Sequence, residues 1–420
     1  MWVDPPYTRG ALHLNELLDV IFRWAHLIAG IMWVGNSMLF NWLDRNLEKS
    51  AGLSRLSQGK IFMVHSGAFY DVEKKLLEPG EMPAVMHWFK WQNFTTWATG
   101  ISLFVIVYYM NGAGVLVDPS VNDVDKTVAV TLSVSALVTG WLIYDAVWRT
   151  LGENNPRLAT ILSVAMLFGA IFAFAQFFSG RAAYMQTGVL IGTLMTGNVW
   201  FCIVPSQHEL INATKAGRDQ DPRLSIRAKH RSIHNNYLTF PLLFIMVSSH
   251  FGSATSSKLN WLILILVMIG GGGIRHFMNL RYRGGGRELP RAAWLFPAIG
   301  MGAFAVASVM IVTRIDRKSV VDIDTPVSFT RVQEIVANRC VPCHSAHPSD
   351  TMFPSAPVGV MLDTPQQVKL MAPRIHVRAV EQQNMPFNNR TAITPDERGE
   401  LGRWFRDGAK ITDAPAVPRR

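Results

Sequence analysis

Cys340-Val341-Pro342-Cys343-His344 holds two of the chain's three cysteines, with a histidine directly behind the second. A two-residue gap on a helical turn matches the separation of the two vinyl groups of a haem. Both thiols can then form thioethers while His344 points its imidazole at the iron. The competing chemistry is a zinc half-site, which would need four ligands. Cys202 lies in an apolar segment, so only His347 and His376 could complete that set. Haem c is therefore the expected cofactor, covalently held by Cys340 and Cys343 with His344 on its iron. A sixth ligand is expected downstream. Met385 is favoured, because Pro386 fixes the following turn and the loop lies just before a final helix; Met352 is the rival. In that helix, TPDERGELGRWFRDG, Thr394 is the expected N-cap, Pro395 the first residue and Glu397 the capping-box partner. Leu401, Trp404 and Phe405 should be buried on one side.

The tail carrying this motif, about Thr325 to Thr412, has the size of a small c-type cytochrome. Upstream the composition changes. Long uncharged runs recur from residue 14 to residue 313 and then stop. The chain divides accordingly into a transmembrane domain at 1–316, a linker at 317–324 and a soluble domain at 325–420. Eight segments approach the roughly 20 apolar residues needed to cross a bilayer. They lie near 14–43, 92–110, 127–147, 158–178, 182–204, 235–251, 258–276 and 291–313, with Pro241 inside the sixth. The expected fold is all-α: a polytopic membrane helix bundle followed by a small class I-like cytochrome c domain.

A net charge of +10 could point to nucleic acid, but the basic residues follow topology instead. Connections after spans one, three, five and seven carry most of them, including Lys74 and Lys75, Arg149 and Arg157, Arg223 and Arg227, and Arg281 and Arg283. The intervening connections carry little beyond Lys126, Arg181 and Lys258. Because Lys and Arg stay on the cytoplasmic side, both termini should face out, and nucleic acid drops out as a partner. The first apolar run is too long for a cleavable signal peptide and lacks a basic leader. In a bacterium this arrangement delivers the tail to the periplasm, where haem is attached to cysteine thiols.

Ionisable residues inside spans are costly, about 3 kcal/mol each at the bilayer centre, and mark interiors or partners. Asp19, Arg23, His26, Gly30, Trp33 and Ser37 recur at three- and four-residue spacing as one stripe of span one, which should look into the bundle. Three readings stay open for Arg23 and His26: helix-joining polar contacts, substrate or proton transfer, and ligation of a b-type haem. His65, His87, His208, His230, His234 and His276 all fall at the inner ends of the helices or in the loops there. KIFMVHSGAFYDVEK alternates around Ser66-Gly67 and reads as a hairpin beneath the membrane. RAKHRSIHNNY sets His230 and His234 one helical turn apart beside Arg231 and Asn235. GGGGIRHF ends span seven with Arg275 and His276, its glycines permitting close helix approach or an unwound turn. HWFKWQNFTTW brings Lys90 to the start of span two among tryptophans. Singly, each of these fits an interfacial anchor. Together they supply the cations, amides and imidazoles that a planar anionic heterocycle requires, with imidazoles able to take released protons.

HLIAGIMWVGNSMLFNWLDRNL (26–47), MVHSGAFY (63–70), FKWQNFTTWATG (89–100), RAKHRSIHNNYLTFPLLFIM (227–246) and IRHFMNLR (274–281), followed by CVPCH, resemble the bacterial membrane-bound urate oxidases. In these an amino-terminal membrane domain is joined to a carboxy-terminal cytochrome c. The resemblance implies oxidation of urate to 5-hydroxyisourate in purine catabolism, with water as oxygen source. Electrons would pass to the haem and on to a respiratory-chain cytochrome or terminal oxidase at the cell inner membrane. It carries over the haem residues alone. His26, His230, His234 and Arg23 as catalytic groups, and Lys90, Arg231, Asn235, Arg275, His276 and His65 as substrate contacts, rest on their chemistry.

One physical difficulty follows. A substrate site at the inner face and a haem outside are separated by roughly 30 Å of hydrocarbon. A b-type haem near His26, a bound quinone, or a site set deeper in the bundle would each shorten the step. The rival function is a membrane-anchored electron-transfer cytochrome that oxidises quinol or serves a partner oxidase. No internal repeat supports a transporter.

Overall fold

The computed structural model describes residues 8–49, 53, 55–110, 115–119, 121–219, 221–281, 294–313, 320–350, 353 and 355–412. Met352, Arg283 and residues 317–319 of the expected linker lie outside them. α1 (Thr8–Asn46) leads into a hairpin of β1 (Ser57–His65) and β2 (Ala68–Lys75). There follow α2 (Lys90–Phe104), α3 (Lys126–Thr150), α4 (Pro156–Phe177), α5 (Gly180–Asn198), α6 (Val204–Lys215), α7 (Pro222–Val247), the single turn α8 (Gly252–Thr255), α9 (Asn260–Arg281) and α10 (Leu295–Thr313). The tail contributes α11 (Phe329–Arg339), α12 (Pro365–Ile375) and α13 (Pro395–Arg406).

Among the described residues six helical stretches are long and apolar enough to cross a membrane: Leu17–Asn46, Lys126–Thr150, Pro156–Phe177, Gly180–Lys215, Asn260–Leu280 and Leu295–Thr313. The second and sixth expected spans are helical too, but differ from that pattern. α2 is short because it passes at Val105 into a π turn, Val105–Met110. α7 begins at Pro222, well before the expected start at 235, so its first half carries Arg223, Arg227, Lys229 and Arg231. The fifth span overruns its expected end at 204 and continues to Lys215 through a π turn, Val199–Ile203. Pro205 accounts for the widening, since it has no N–H to give the carbonyl of Phe201.

α5 is the axis of the bundle. It packs on α2, α3, α4 and α7, and Gln186, Thr187 and Asn198 on it have no solvent exposure. Glycine makes this closeness possible: a Cβ on Gly197 would stand 2.4 Å from the Trp141 ring of α3. The glycine run of α9 acts in the same way. α9 stays helical through it, and a Cβ on Gly273 would lie 2.8 Å from the Phe296 carbonyl of α10 and 3.2 Å from the Gly300 Cα. Of the two sequence readings, close approach is the one the fold uses.

The hairpin pairs as its alternation requires, His65 opposite Ala68, with Ser66 and Gly67 both at positive φ (52° and 76°) in the turn. Lys74 ties it to Asp44 of α1 at 2.7 Å. The tail builds a separate apolar core from Val332, Ile335, Val368, Leu401 and Trp404, among others. Its last helix starts with the expected cap: the Thr394 hydroxyl accepts from the Glu397 N–H at 3.1 Å, and the Glu397 carboxylate from the Thr394 N–H at 2.8 Å. Leu401 and Trp404 are buried, and Phe405 is half-buried.

Candidate functional site

Polar chemistry in the bundle gathers around α7. Arg231, whose side chain has no solvent exposure, pairs with Asp145 of α3 at 2.7 Å. Its Nη1 donates to Asn198 Oδ1 at 3.1 Å. A guanidinium only donates, so Asn198 turns its oxygen to Arg231 and offers Nδ2 to the Tyr144 oxygen (3.0 Å) and to Asn235 Oδ1 (2.9 Å). Tyr144 then gives its one proton to His234 Nδ1 at 2.7 Å. The neutral His234 ring is thereby the tautomer with its own proton on Nε2, a donor at its second nitrogen. The Trp148 ring packs on it with centroids 4.1 Å apart.

Beside this network α1, α5 and α7 form a cleft of about 120 Å³, walled by Trp33, Ser37, Met195, Ser232, Asn235 and Thr239. Asn235 belongs to both: it lines the cleft while its Nδ2 donates to the Met195 carbonyl at 3.0 Å. On the α9 side of α7 a second centre forms. Asn236 Oδ1 accepts from Arg275 Nε and Asn279 Nδ2, each at 2.9 Å, and the Tyr237 hydroxyl meets His276 Nδ1 at 2.5 Å.

The other sequence candidates stand apart. His230 approaches Trp148 with centroids 6.0 Å apart. Lys90 Nζ lies over Trp88 at 4.7 Å, with Trp91 and Trp200 at 5.7 Å, as an aromatic-caged cation. His65 is exposed at the hairpin turn. His26 Nδ1 is 2.9 Å from the Thr96 carbonyl and 3.2 Å from Thr99 Oγ1, with its ring in the space left by Gly100. The stripe of α1 therefore faces inward only in part. Trp33 and Ser37 reach the cleft, whereas the Arg23 side chain is 63% exposed, its charge met by Asp19 at 2.7 Å on the same helix surface.

In the tail, α11 ends at Arg339, and the next turn closes by bonds from the Cys343 and His344 N–H groups to the Cys340 carbonyl at 3.2 and 2.9 Å. Both cysteines are free and half-buried. Burial pushes the Cys340 thiol up to about 12 and the Cys343 thiol to about 11, so both are neutral at physiological pH. His344 Nδ1 sits 3.0 Å from the Val360 carbonyl. A carbonyl can only accept, so Nδ1 carries the proton and Nε2 keeps its lone pair, as an iron ligand requires. The buried Arg398 holds the Met385 loop from behind, donating to the Met385 carbonyl at 2.7 Å. Cys340 and Cys343 could supply the thioethers of a c-type haem and His344 an iron ligand, with Met385 the candidate for the sixth position. Among the described residues no group of three or more His, Cys, Asp or Glu is placed to hold a metal ion, and His376 is instead stacked on Phe405.

The family model described as urate oxidase N-terminal matches residues 12–312. The chain belongs to this family. No curated protein and no solved structure matches it. The match to the urate oxidase family spans α2–α9 and all but the last residue of α10, including the network, the cleft and the second centre on α7.

Sequence reasoning placed Arg231, His234 and Asn235 on α7 but missed Tyr144, Asp145 and Asn198, which fix their orientation. Asp145 was detectable as a carboxylate within an apolar helix. Arg149, one turn on, masks it, because that pair also exists, at 2.6 Å.

Proposed function

We propose that the chain is a membrane-bound urate oxidase whose tail is a periplasmic cytochrome c, both termini outside the bacterial inner membrane. The observation that carries this is the urate oxidase family match over residues 12–312, joined in one chain to Cys340, Cys343 and a His344 whose ring is fixed by Val360. The reaction is urate plus water giving 5-hydroxyisourate, two protons and two electrons.

Urate, planar and anionic, occupies the cleft beside α7 with Trp33 as its stacking face and Ser37, Ser232, Asn235 and Thr239 as hydrogen-bonding partners. Arg231 supplies fixed positive charge behind Asn235 through Asn198. His234, with its proton on Nε2, donates toward charge that develops on the purine, and its loss is expected to lower turnover on the order of 100-fold or more. The c-type haem, when bound, supplies a one-electron acceptor, so each urate loads it twice. The exposed Arg23 and the outlying His65 and Lys90 have structural rather than catalytic roles, and the contacts of His26 join α1 to α2. A respiratory-chain cytochrome or terminal oxidase drains the haem.

The test is anaerobic. Purified holoprotein with a one-electron dye as final acceptor should consume urate and yield product labelled from H₂¹⁸O. Turnover that requires dioxygen, or label arriving from it, contradicts the reading.

A further inference from the structure

The loop that carries Met385 does not face solvent. Asn388 Nδ2 donates to the carbonyls of Val115 (3.2 Å) and Val117 (3.4 Å), which follow α2 at one end of the bundle. The Phe387 ring lies 5.1 Å from the Arg181 guanidinium in the first turn of α5. Asn384 packs on the backbone at Gly252, where an added Cβ would stand 2.7 Å from its Nδ2. Three neighbouring residues of one loop thus touch three separate elements at the same end of the bundle.

The contact is firm on both sides. In the bundle, Leu116 is fully buried, its carbonyl accepts from the Ser179 N–H at 2.9 Å, and the Ser179 hydroxyl holds Val115 at 2.7 Å. In the tail, Arg398 grips the Met385 carbonyl, and the Asn384 and Met385 N–H groups both bond to the Arg378 carbonyl. Neither partner can shift its part of the interface without breaking bonds in its own core.

We infer that the loop Asn384–Asn389 is the electron-entry face of the tail, docked on Val115, Val117, Arg181 and Gly252 of the same chain. A haem held by Cys340, Cys343 and His344 would take its electrons from this end of the bundle, one at a time from the pair that the substrate loses, through the loop that carries Met385. The acceptor that drains the tail must use another of its faces. The entry role rests on the urate oxidase reading; the docked contact does not.

Gly252→Cys combined with Asn384→Cys tests both parts in the full-length holoprotein. A Cβ on Gly252 would lie 3.8 Å from the Cβ of Asn384, the mean spacing of a disulfide. The pair should link spontaneously in an oxidising compartment, seen as a disulfide peptide by mass spectrometry. The linked protein should still show urate-driven haem reduction within about 2-fold of the Gly252→Cys single variant. A pair that stays unlinked overturns the contact, and a linked chain that urate no longer reduces overturns the entry role. As a second variant, Asn388→Ala with Arg181→Ala should slow urate-driven reduction at least about 10-fold, leaving ascorbate-driven reduction at the parental rate. Unchanged urate-driven reduction, or equal slowing with ascorbate, would also count against entry at this loop. If urate fails to reduce the parent haem, the functional reading falls and the entry role with it, while the cross-link still decides the contact.

Discussion

Arg231 and Asp145 form a pair in which neither member is easily removed alone. The guanidinium has no solvent exposure, so deleting Asp145 leaves a buried cation without its counter-charge, beside Asn198, a backbone carbonyl and the Tyr144 ring. Breaking such a pair typically costs about 3–5 kcal/mol, whereas replacing both members with apolar groups of similar volume is close to neutral. Asp145→Ala should therefore lower the thermal midpoint of detergent-solubilised protein, and Asp145→Leu with Arg231→Met should restore most of it without restoring urate turnover. A second residue-scale test concerns Asp363, whose carboxyl is held below its ordinary value by the Ser345 hydroxyl and the Ala346 N–H. A carboxyl with a depressed folded-state value stabilises the protein above its unfolded-state value, near 4, and that contribution disappears as pH falls through the folded value. Asp363→Asn should lower tail stability at neutral pH and flatten its decline below about pH 4, followed by the Soret band during acid titration.

Helices are where the sequence was most readable and where its limits are physical. Uniform apolar runs such as those of α4 and α10 locate themselves, because length and composition suffice. The hairpin was equally legible, since alternation and a Ser-Gly turn admit one register. α7 was misjudged at its start because Arg223, Arg227 and Lys229 interrupt the apolar pattern, although the helix continues through them from an Asp221 cap. The π turn before Pro205 leaves no sequence periodicity to detect, yet it sits beside Asn198 and lets α5 continue into α6. The network was half-visible for the same reason. Spacing within α7 groups Arg231, His234 and Asn235, but contacts to α3 and α5 depend on how three helices cross. Packing at this scale is testable at Gly273. Gly273→Ala places a methyl 2.8 Å from the Phe296 carbonyl, and overpacking of this kind costs about 1–3 kcal/mol. The variant should melt earlier, whereas Gly272→Ala, with open space around it, should not.

At the scale of the whole molecule, two separately cored parts meet at one end of the bundle, where Asn384, Phe387 and Asn388 contact it. The network of Tyr144, Asn198 and His234 lies well along the same helices from that end. Along α5, Arg181 and Asn198 are seventeen residues apart, an axial distance of about 26 Å. Such a span makes the iron content informative: one iron per chain leaves transfer to the protein or a quinone, and two place a second haem in the bundle. Sidedness is a further check, since a tag after Ile411 should be reached by impermeant reagents from the periplasm of intact spheroplasts. The most direct measurement is anaerobic titration of the purified, oxidised chain with urate, following the reduced α-band of the haem. The expected result is reduction with a stoichiometry of about two haems per urate, in the absence of any other protein. A haem that dithionite reduces and urate leaves oxidised would contradict the central claim.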